Sequence, residues 1–319
     1  MIDIVGLGEI LIDFTPDGIN EQGVALFARN PGGAPANVLA MNSKLGGTSA
    51  FIGKVGNDAF GSYLRETLNS HNIDTAGLVT DDEVPTTLAF VQLDESGDRS
   101  FSFYRNPGAD MMLNTSEIKR ELIDGCKIFH FGSVSLTDEP CRKAAFDSAA
   151  YAKERGKTVS FDPNYRPLLW KDEAVAKKQI AVGVSLADVL KVSEEEMYLI
   201  TNETDVKSVS EKLLDMGPSL VLVSLGEKGA CFRNKKHFGV FPAYDVHTVD
   251  TTGAGDSFVG ALLWQIKDCS LCEIGNTDFS ESIKFANAAG SLTTTQRGAI
   301  PALPTLDEII EIQKNGGCR

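Results

Sequence analysis

From Lys127 onward the chain alternates short β-branched and aromatic runs with helical stretches across short connections, and this order restricts the fold more than any other feature. Ile128-Phe-His-Phe131 reads as a strand, Cys141 to Glu154 as an amphipathic helix, and Thr158-Val-Ser-Phe-Asp162 as the next strand. Leu220-Val-Leu-Val-Ser224 is a further buried strand that runs into a glycine turn. Such alternation predicts an α/β fold of three layers, a doubly wound and mostly parallel sheet with helices on both faces. One domain of this kind accounts for residues 1–319.

The chemistry concentrates in Asp250-Thr-Thr-Gly-Ala-Gly-Asp-Ser-Phe258. Tyr244 to Val249 is strand-like, while Phe258, Ala261, Leu262 and Ile266 recur at helical spacing, so the string predicts strand, turn, helix. Gly253 and Gly255 let backbone N–H groups approach a ligand at a helix start, where unpaired donors and the macrodipole favour a phosphate. Asp256 falls in the first turn, where the dipole is expected to lower its pKa and keep it ionised. A carboxylate beside a phosphate suits a substrate hydroxyl; a plain helix cap is the bland alternative.

Upstream, Ile2 to Phe14 reads as a buried first strand interrupted by Gly6 and Gly8. Gly6-x-Gly8 lacks a third glycine and the helix that a dinucleotide site requires. Asp13 ends this apolar run, a costly place for a carboxylate unless it meets a ligand such as a sugar hydroxyl, or caps the loop Thr15-Pro-Asp-Gly18. Asn30-Pro-Gly-Gly-Ala-Pro-Ala-Asn37 puts a glycine pair before a small-residue helix. Thr86 to Leu93 and Arg99 to Tyr104 alternate around Asp94-Glu-Ser-Gly-Asp98, which predicts a hairpin outside the main sheet. At its exit Arg105 suits a polyhydroxy ligand, and Arg166, past the end of a strand, is a candidate for a sugar or phosphate contact.

The string around Asp256 resembles the C-terminal signature of the ribokinase (PfkB) family of carbohydrate kinases. Gly32, Gly33 and Asn37 match its N-terminal sugar-binding signature, and Gly56, Asp58 and Gly61 match a third pattern. The resemblance implies a β-lid formed by about residues 12–30 and 86–106 that closes over the sugar. It implies transfer of the ATP γ-phosphoryl group to a sugar hydroxyl, with Asp256 taking the proton and the amides of Gly253, Ala254 and Gly255 stabilising charge. It assigns Ser193, Ser224, Gly226, Gly229 and Asn287 to the nucleotide and Glu196 to hydrated Mg²⁺, with Ser193 standing where the family more often has Asn. Asp250, Thr252, Thr293, Gln296, Gly298 and Ala302 match positions around a monovalent cation, for which the resemblance implies K⁺. The wording along the chain is most similar to fructokinases, with 2-keto-3-deoxygluconate kinase and ribokinase next. A catalytically silent sugar sensor on the same fold is the alternative outside enzymes.

A formal charge of −14 without a basic run argues against nucleic-acid or anionic-membrane partners. The N-terminus is not a basic region ahead of an apolar one, and no apolar run spans a bilayer, so a cytoplasmic protein is expected. The six cysteines are expected as free thiols, Cys269-Ser-Leu-Cys272 included. Small-molecule sugar and ATP are the expected partners, with a homodimer through the lid as a further expectation.

Overall fold

The structure is a computed structural model that describes residues 1–93 and 99–319; the turn expected at Asp94 to Asp98 lies outside the described residues. Two sheets organise it. The larger is built from β1 (Ile2–Leu7), β4 (Ser49–Gly56), β5 (Ile73–Asp81), β8 (Cys126–Gly132), β9 (Thr158–Asp162), β10 (Val189–Ser193), β11 (Leu220–Ser224), β12 (Ala230–Asn234) and β13 (Phe238–Phe241), in the order β13-β12-β11-β10-β9-β8-β1-β4-β5. Pairing is parallel from β5 across to β11, and β12 and β13 add an antiparallel edge.

Alternate strand residues feed two cores, as the two-residue period requires. Ile4, Ile128 and Leu222 face one, with the helices Ala34–Lys44, Ala254–Ile266 and Ser280–Thr293; Val5, Phe129 and Val223 face the other, with Cys141–Glu154, Glu173–Leu186 and Val206–Asp215. This is the doubly wound, three-layer arrangement the alternation predicts. After β1 the chain winds outward through β4 to β5, then returns to β8 on the other side of β1. The direction of winding therefore reverses between β1 and β8, the place where open α/β sheets bind ligands at the C-terminal strand ends.

The second sheet has the order β3-β2-β6-β7, from β2 (Leu11–Ile19), β3 (Ala25–Gly32), β6 (Leu88–Leu93) and β7 (Arg99–Tyr104). Three local expectations change here. Ile2 to Phe14 is two strands in two sheets, because Gly8-Glu9-Ile10 breaks the run; a Cβ on Gly8 would come 2.5 Å from Pro35, so the chain passes the next helix there without room for a side chain. Thr15 to Gly18 continues β2, with a register shift between Pro16 and Ile19, and is not a free loop. Tyr244 to Val249 is not a strand: outside one bridge from Tyr244 to Cys318, its amides at Asp245 and Val249 donate to the carbonyls of Gly317 and Thr294. The segment takes its hydrogen bonds from the chain after helix Ser280–Thr293 and from the C-terminal residues, and not from a neighbouring strand of the sheet. The six cysteines are free thiols. Among the described residues no helix is long and apolar enough to cross a membrane.

Candidate active site

A cavity of about 700 Å³ opens at the winding reversal. Glu9 follows β1, Val134 follows β8, Asn164 and Arg166 follow β9, and Lys191 comes from β10. Across from them stand Gly253, Gly255 and Asp256 at the start of helix Ala254–Ile266. Leu11, Asp13 and Thr15 of β2, Val91 of β6 and Phe103 of β7 complete the wall, so the smaller sheet lies over the cavity as a lid.

Gly253 explains why the helix starts where it does. Its φ of 78° is left-handed, and a Cβ there would stand 2.6 Å from that of Ala299, so a glycine is required on both counts. No side chain caps the helix. Of the three amides expected to meet a phosphate, that of Ala254 donates to the Thr251 carbonyl at 3.3 Å, while Gly253 and Gly255 line the cavity.

Asp256 is 8% exposed. Its Oδ2 accepts from Asn37 Nδ2 at 2.8 Å, and Asn164 Nδ2 lies 3.5 Å from Oδ1. Burial pushes the carboxyl up to about 6; the Asn37 bond and the cations Lys191 and Arg166 pull against this, and Asp162 adds to it. The lowered pKa expected from the helix dipole is therefore overturned, because loss of hydration outweighs the fractional charge of a helix end. Asp13 is driven the same way, to about 7, by burial and by Asp256, with Arg166 opposing.

The glycine pair makes room for these groups. A Cβ on Gly32 would fall 2.0 Å from Asp13 Oδ2, and one on Gly33, whose φ is 121°, 2.4 Å from the Glu9 carbonyl. Helix Ala34–Lys44 then starts with the Ala34 amide donating to Glu9 Oε1 at 3.0 Å and presents Asn37 to Asp256. Glu9 Oε2 and Asn37 Oδ1 are buried without a hydrogen-bond partner, two acceptors beside the cavity that a polyhydroxy ligand would satisfy.

The remaining expected positions fall into four groups. Arg105 does not line the cavity: its Nε donates to Asp110 Oδ2 at 2.8 Å, and its terminal nitrogens donate to Thr137 Oγ1 and the Val134 carbonyl. Sequence spacing could not show that Asp110, five residues on, would claim it inside the wall. Ser193 and Ser224 are register partners on β10 and β11, Gly226 and Gly229 form the turn after β11, and Asn287 Nδ2 donates to the carbonyls of Phe241 and Pro242 that flank Gly229. Ser193, Ser224, Gly226 and Gly229 lie at the ends of adjacent strands, Asn287 comes from helix Ser280–Thr293, and none of the five lines the cavity. Asp250 Oδ1 accepts from the Thr252 amide and hydroxyl, and its Oδ2 accepts from the Gly298 amide, which ties the segment before the glycine turn to that after helix Ser280–Thr293. Thr293 closes that helix, its hydroxyl donating to the Ala289 carbonyl; Gln296 follows it, and Ala302 ends a 3₁₀ turn.

Glu196 is buried at 4% exposure, against the alternative of an exposed helix start. One oxygen accepts from the Ser193 amide and the other from the Tyr165 amide, both at 2.7 Å, so a capping box also anchors the loop after β9. Among the described residues no cluster of three His, Cys, Asp or Glu could cage a metal. A single oriented carboxylate fits a hydrated Mg²⁺ that is carried mostly by phosphate oxygens.

A family model described as pfkB family carbohydrate kinase matches residues 1–306. The chain belongs to the pfkB family of carbohydrate kinases. This pfkB kinase is 45% identical over 316 residues to fructokinase-2 of Solanum lycopersicum, covering 98% of this chain and 96% of that one. Fructokinase-1 of Zea mays is 45% identical over 313 residues, covering 97% of each. A fructokinase from Xylella fastidiosa with bound ATP superposes with a TM-score of 0.91 at 32% identity, covering 98% and 99%. A double-mutant fructokinase from Vibrio cholerae O395 with fructose, ADP and potassium ion bound gives 0.86 at 35%, covering 97% of each.

In this pfkB kinase Glu9, Asn164, Asp162 and Lys191 join the site without having been expected from the sequence. The signal was present for three of them, since an ionisable side chain inside or at the end of an apolar strand run is costly without a purpose. Asn164 has a positive φ of 45°, which composition does not reveal.

Proposed function

We propose that this kinase transfers the γ-phosphoryl group of ATP to D-fructose, giving fructose 6-phosphate. The observation that carries the reading is the Asp256 carboxylate, buried beside the Gly253 turn and hydrogen-bonded to Asn37 in the same cavity as Asp13 and Gly33. Asp256 orients the acceptor hydroxyl and takes its proton as the bond to phosphorus forms; a value near 6 leaves it mostly ionised at pH 7 and basic enough to help. Asp13, Asn37 and the Gly32-Gly33 turn hold the other hydroxyls, and Arg166 faces the sugar or the phosphates from the loop after β9. Ser193, Ser224, Gly226, Gly229 and Asn287 border the nucleotide. Glu196 is the protein group that would face the waters of a bound Mg²⁺, which would neutralise phosphate charge, and the backbone around Asp250, Thr252, Thr293, Gln296, Gly298 and Ala302 would hold a monovalent cation. Support for fructose comes from relatives named fructokinase at 45% identity along nearly the full chain.

Release of ADP measured over a panel of ketoses and aldoses, with 2-keto-3-deoxygluconate and ribose included, tests this. Fructose is expected to give the highest kcat/KM. Sugar binding without sugar-dependent turnover would replace the kinase by a sensor.

A further inference from the structure

Lys191 lines the cavity and has no part in the proposed transfer. Lys191 sits in the apolar run Val189-Leu-Lys-Val192 on β10, its side chain 9% exposed. Its Nζ lies 3.2 Å from Asp162 Oδ1 and 3.1 Å from Oδ2, and the Asp162 side chain is 3% exposed. Asp162 is itself fixed at the end of β9, where Oδ1 also accepts from the Asn164 amide at 3.2 Å.

A buried ion pair is a poor device for stability, because desolvating both charges offsets their attraction and aliphatic side chains would serve a strand better. The position of this pair suggests another use. A Cβ added to Gly255 would stand 3.4 Å from Lys191 Nζ, and both residues line the cavity with Gly253 and Asp256. The ammonium therefore lies at the glycine turn, within the field of the Asp256 carboxylate. Burial pulls its pKa down, yet Asp162, Glu196 and Asp256 outweigh this and hold it above the ordinary lysine value, so it stays charged. An ammonium has three donors, and Asp162 Oδ1 accepts one of them, which leaves donor capacity toward the cavity.

We propose that Lys191, positioned by Asp162, contacts the phosphoryl group during its transfer, beside the amides of the Gly253–Gly255 turn. The proposal rests on the kinase reading. The acceptor hydroxyl oxygen forms the new bond to phosphorus, the bond from the γ-phosphorus to the bridging oxygen breaks, ADP departs and the hydroxyl proton passes to Asp256. Lys191 keeps its proton throughout and balances charge on the non-bridging phosphoryl oxygens. Lys191 is thus a catalytic residue and Asp162 a positioning one.

Calorimetric titration with ATP and with ADP, both with Mg²⁺, alongside steady-state kinetics on Lys191→Met, Lys191→Arg and Asp162→Asn, tests the assignment. Lys191→Met is expected to bind ADP within about twofold of wild type and ATP about tenfold more weakly, and to lose about 10²–10³-fold in kcat with little change in sugar KM. Lys191→Arg should recover part of the loss. Asp162→Asn should lower kcat less and leave ADP affinity unchanged. The double variant Lys191→Met, Asp162→Leu leaves no orphaned charge and serves where the single variant folds poorly. Equal losses for ATP and ADP, or a kcat within about threefold of wild type, would overturn the proposal. If no sugar stimulates ADP release by the wild type, the kinase reading fails, and the ATP-to-ADP contrast still decides whether Lys191 meets the terminal phosphate.

Discussion

At Asp256 a helix terminus and a buried setting act on one carboxyl in opposite directions. Burial wins, and the group titrates near 6 instead of its ordinary 3.8. As a general base it works when ionised, so kcat/KM is expected to fall about tenfold per pH unit below about pH 6, with the neighbouring Asp13 broadening the limb because the two carboxyls are coupled. A flat profile down to pH 4.5 would remove Asp256 from that role. The same shift has a sign for stability: the native state holds the proton to higher pH than the unfolded chain, so stability is lost as pH rises from about 4 through about 6. Asp256→Asn is therefore expected to abolish most turnover, by orders of magnitude, while stabilising the fold on the order of 1–3 kcal/mol at pH 8, an advantage that disappears near pH 4. Thermal unfolding against pH checks the second half. That Asp256, Asp13 and Asn37 line one cavity was legible from residue type and motif; that Asp110 holds Arg105 outside the lining while Lys191 is part of it was not, since both depend on which neighbour burial supplies.

Among the elements, the strand ends and helix starts carry the site. The turn before helix Ala254–Ile266 is a backbone device, and its glycine is tested by substitution: Gly253→Ala forces a Cβ onto Ala299 and into a left-handed φ, so the turn must shift. The expected result is a kcat loss of about 10²–10³-fold, with loss of stability of at least about 1 kcal/mol, and a near-normal kcat would mean that the turn tolerates displacement. Helices were readable almost to the residue where periodicity and connection length agreed, as at Cys141–Glu154. Tyr244 to Val249 misled because β-branched composition states a preference for extended backbone, while a strand also needs a partner edge.

At the level of the molecule, the lid carries exposed apolar or aromatic side chains at Ile19, Val24, Leu26, Phe27 and Tyr104. We propose that it pairs two copies of the chain. Light scattering is expected to find a dimer, and Phe27→Glu a monomer with little change in unfolding temperature; a wild-type monomer at working concentration would sink the idea.

The order of strands and helices, the glycine turns and the carboxylate beside them could be read from residues alone, because local backbone preference and hydrophobic period are properties of short segments. Which strand crosses into the lid, which cation faces the cavity and how strongly Asp256 holds its proton depend on segments far apart in the chain being packed together. Dehydration and pairing arise at that stage, and they set the chemistry.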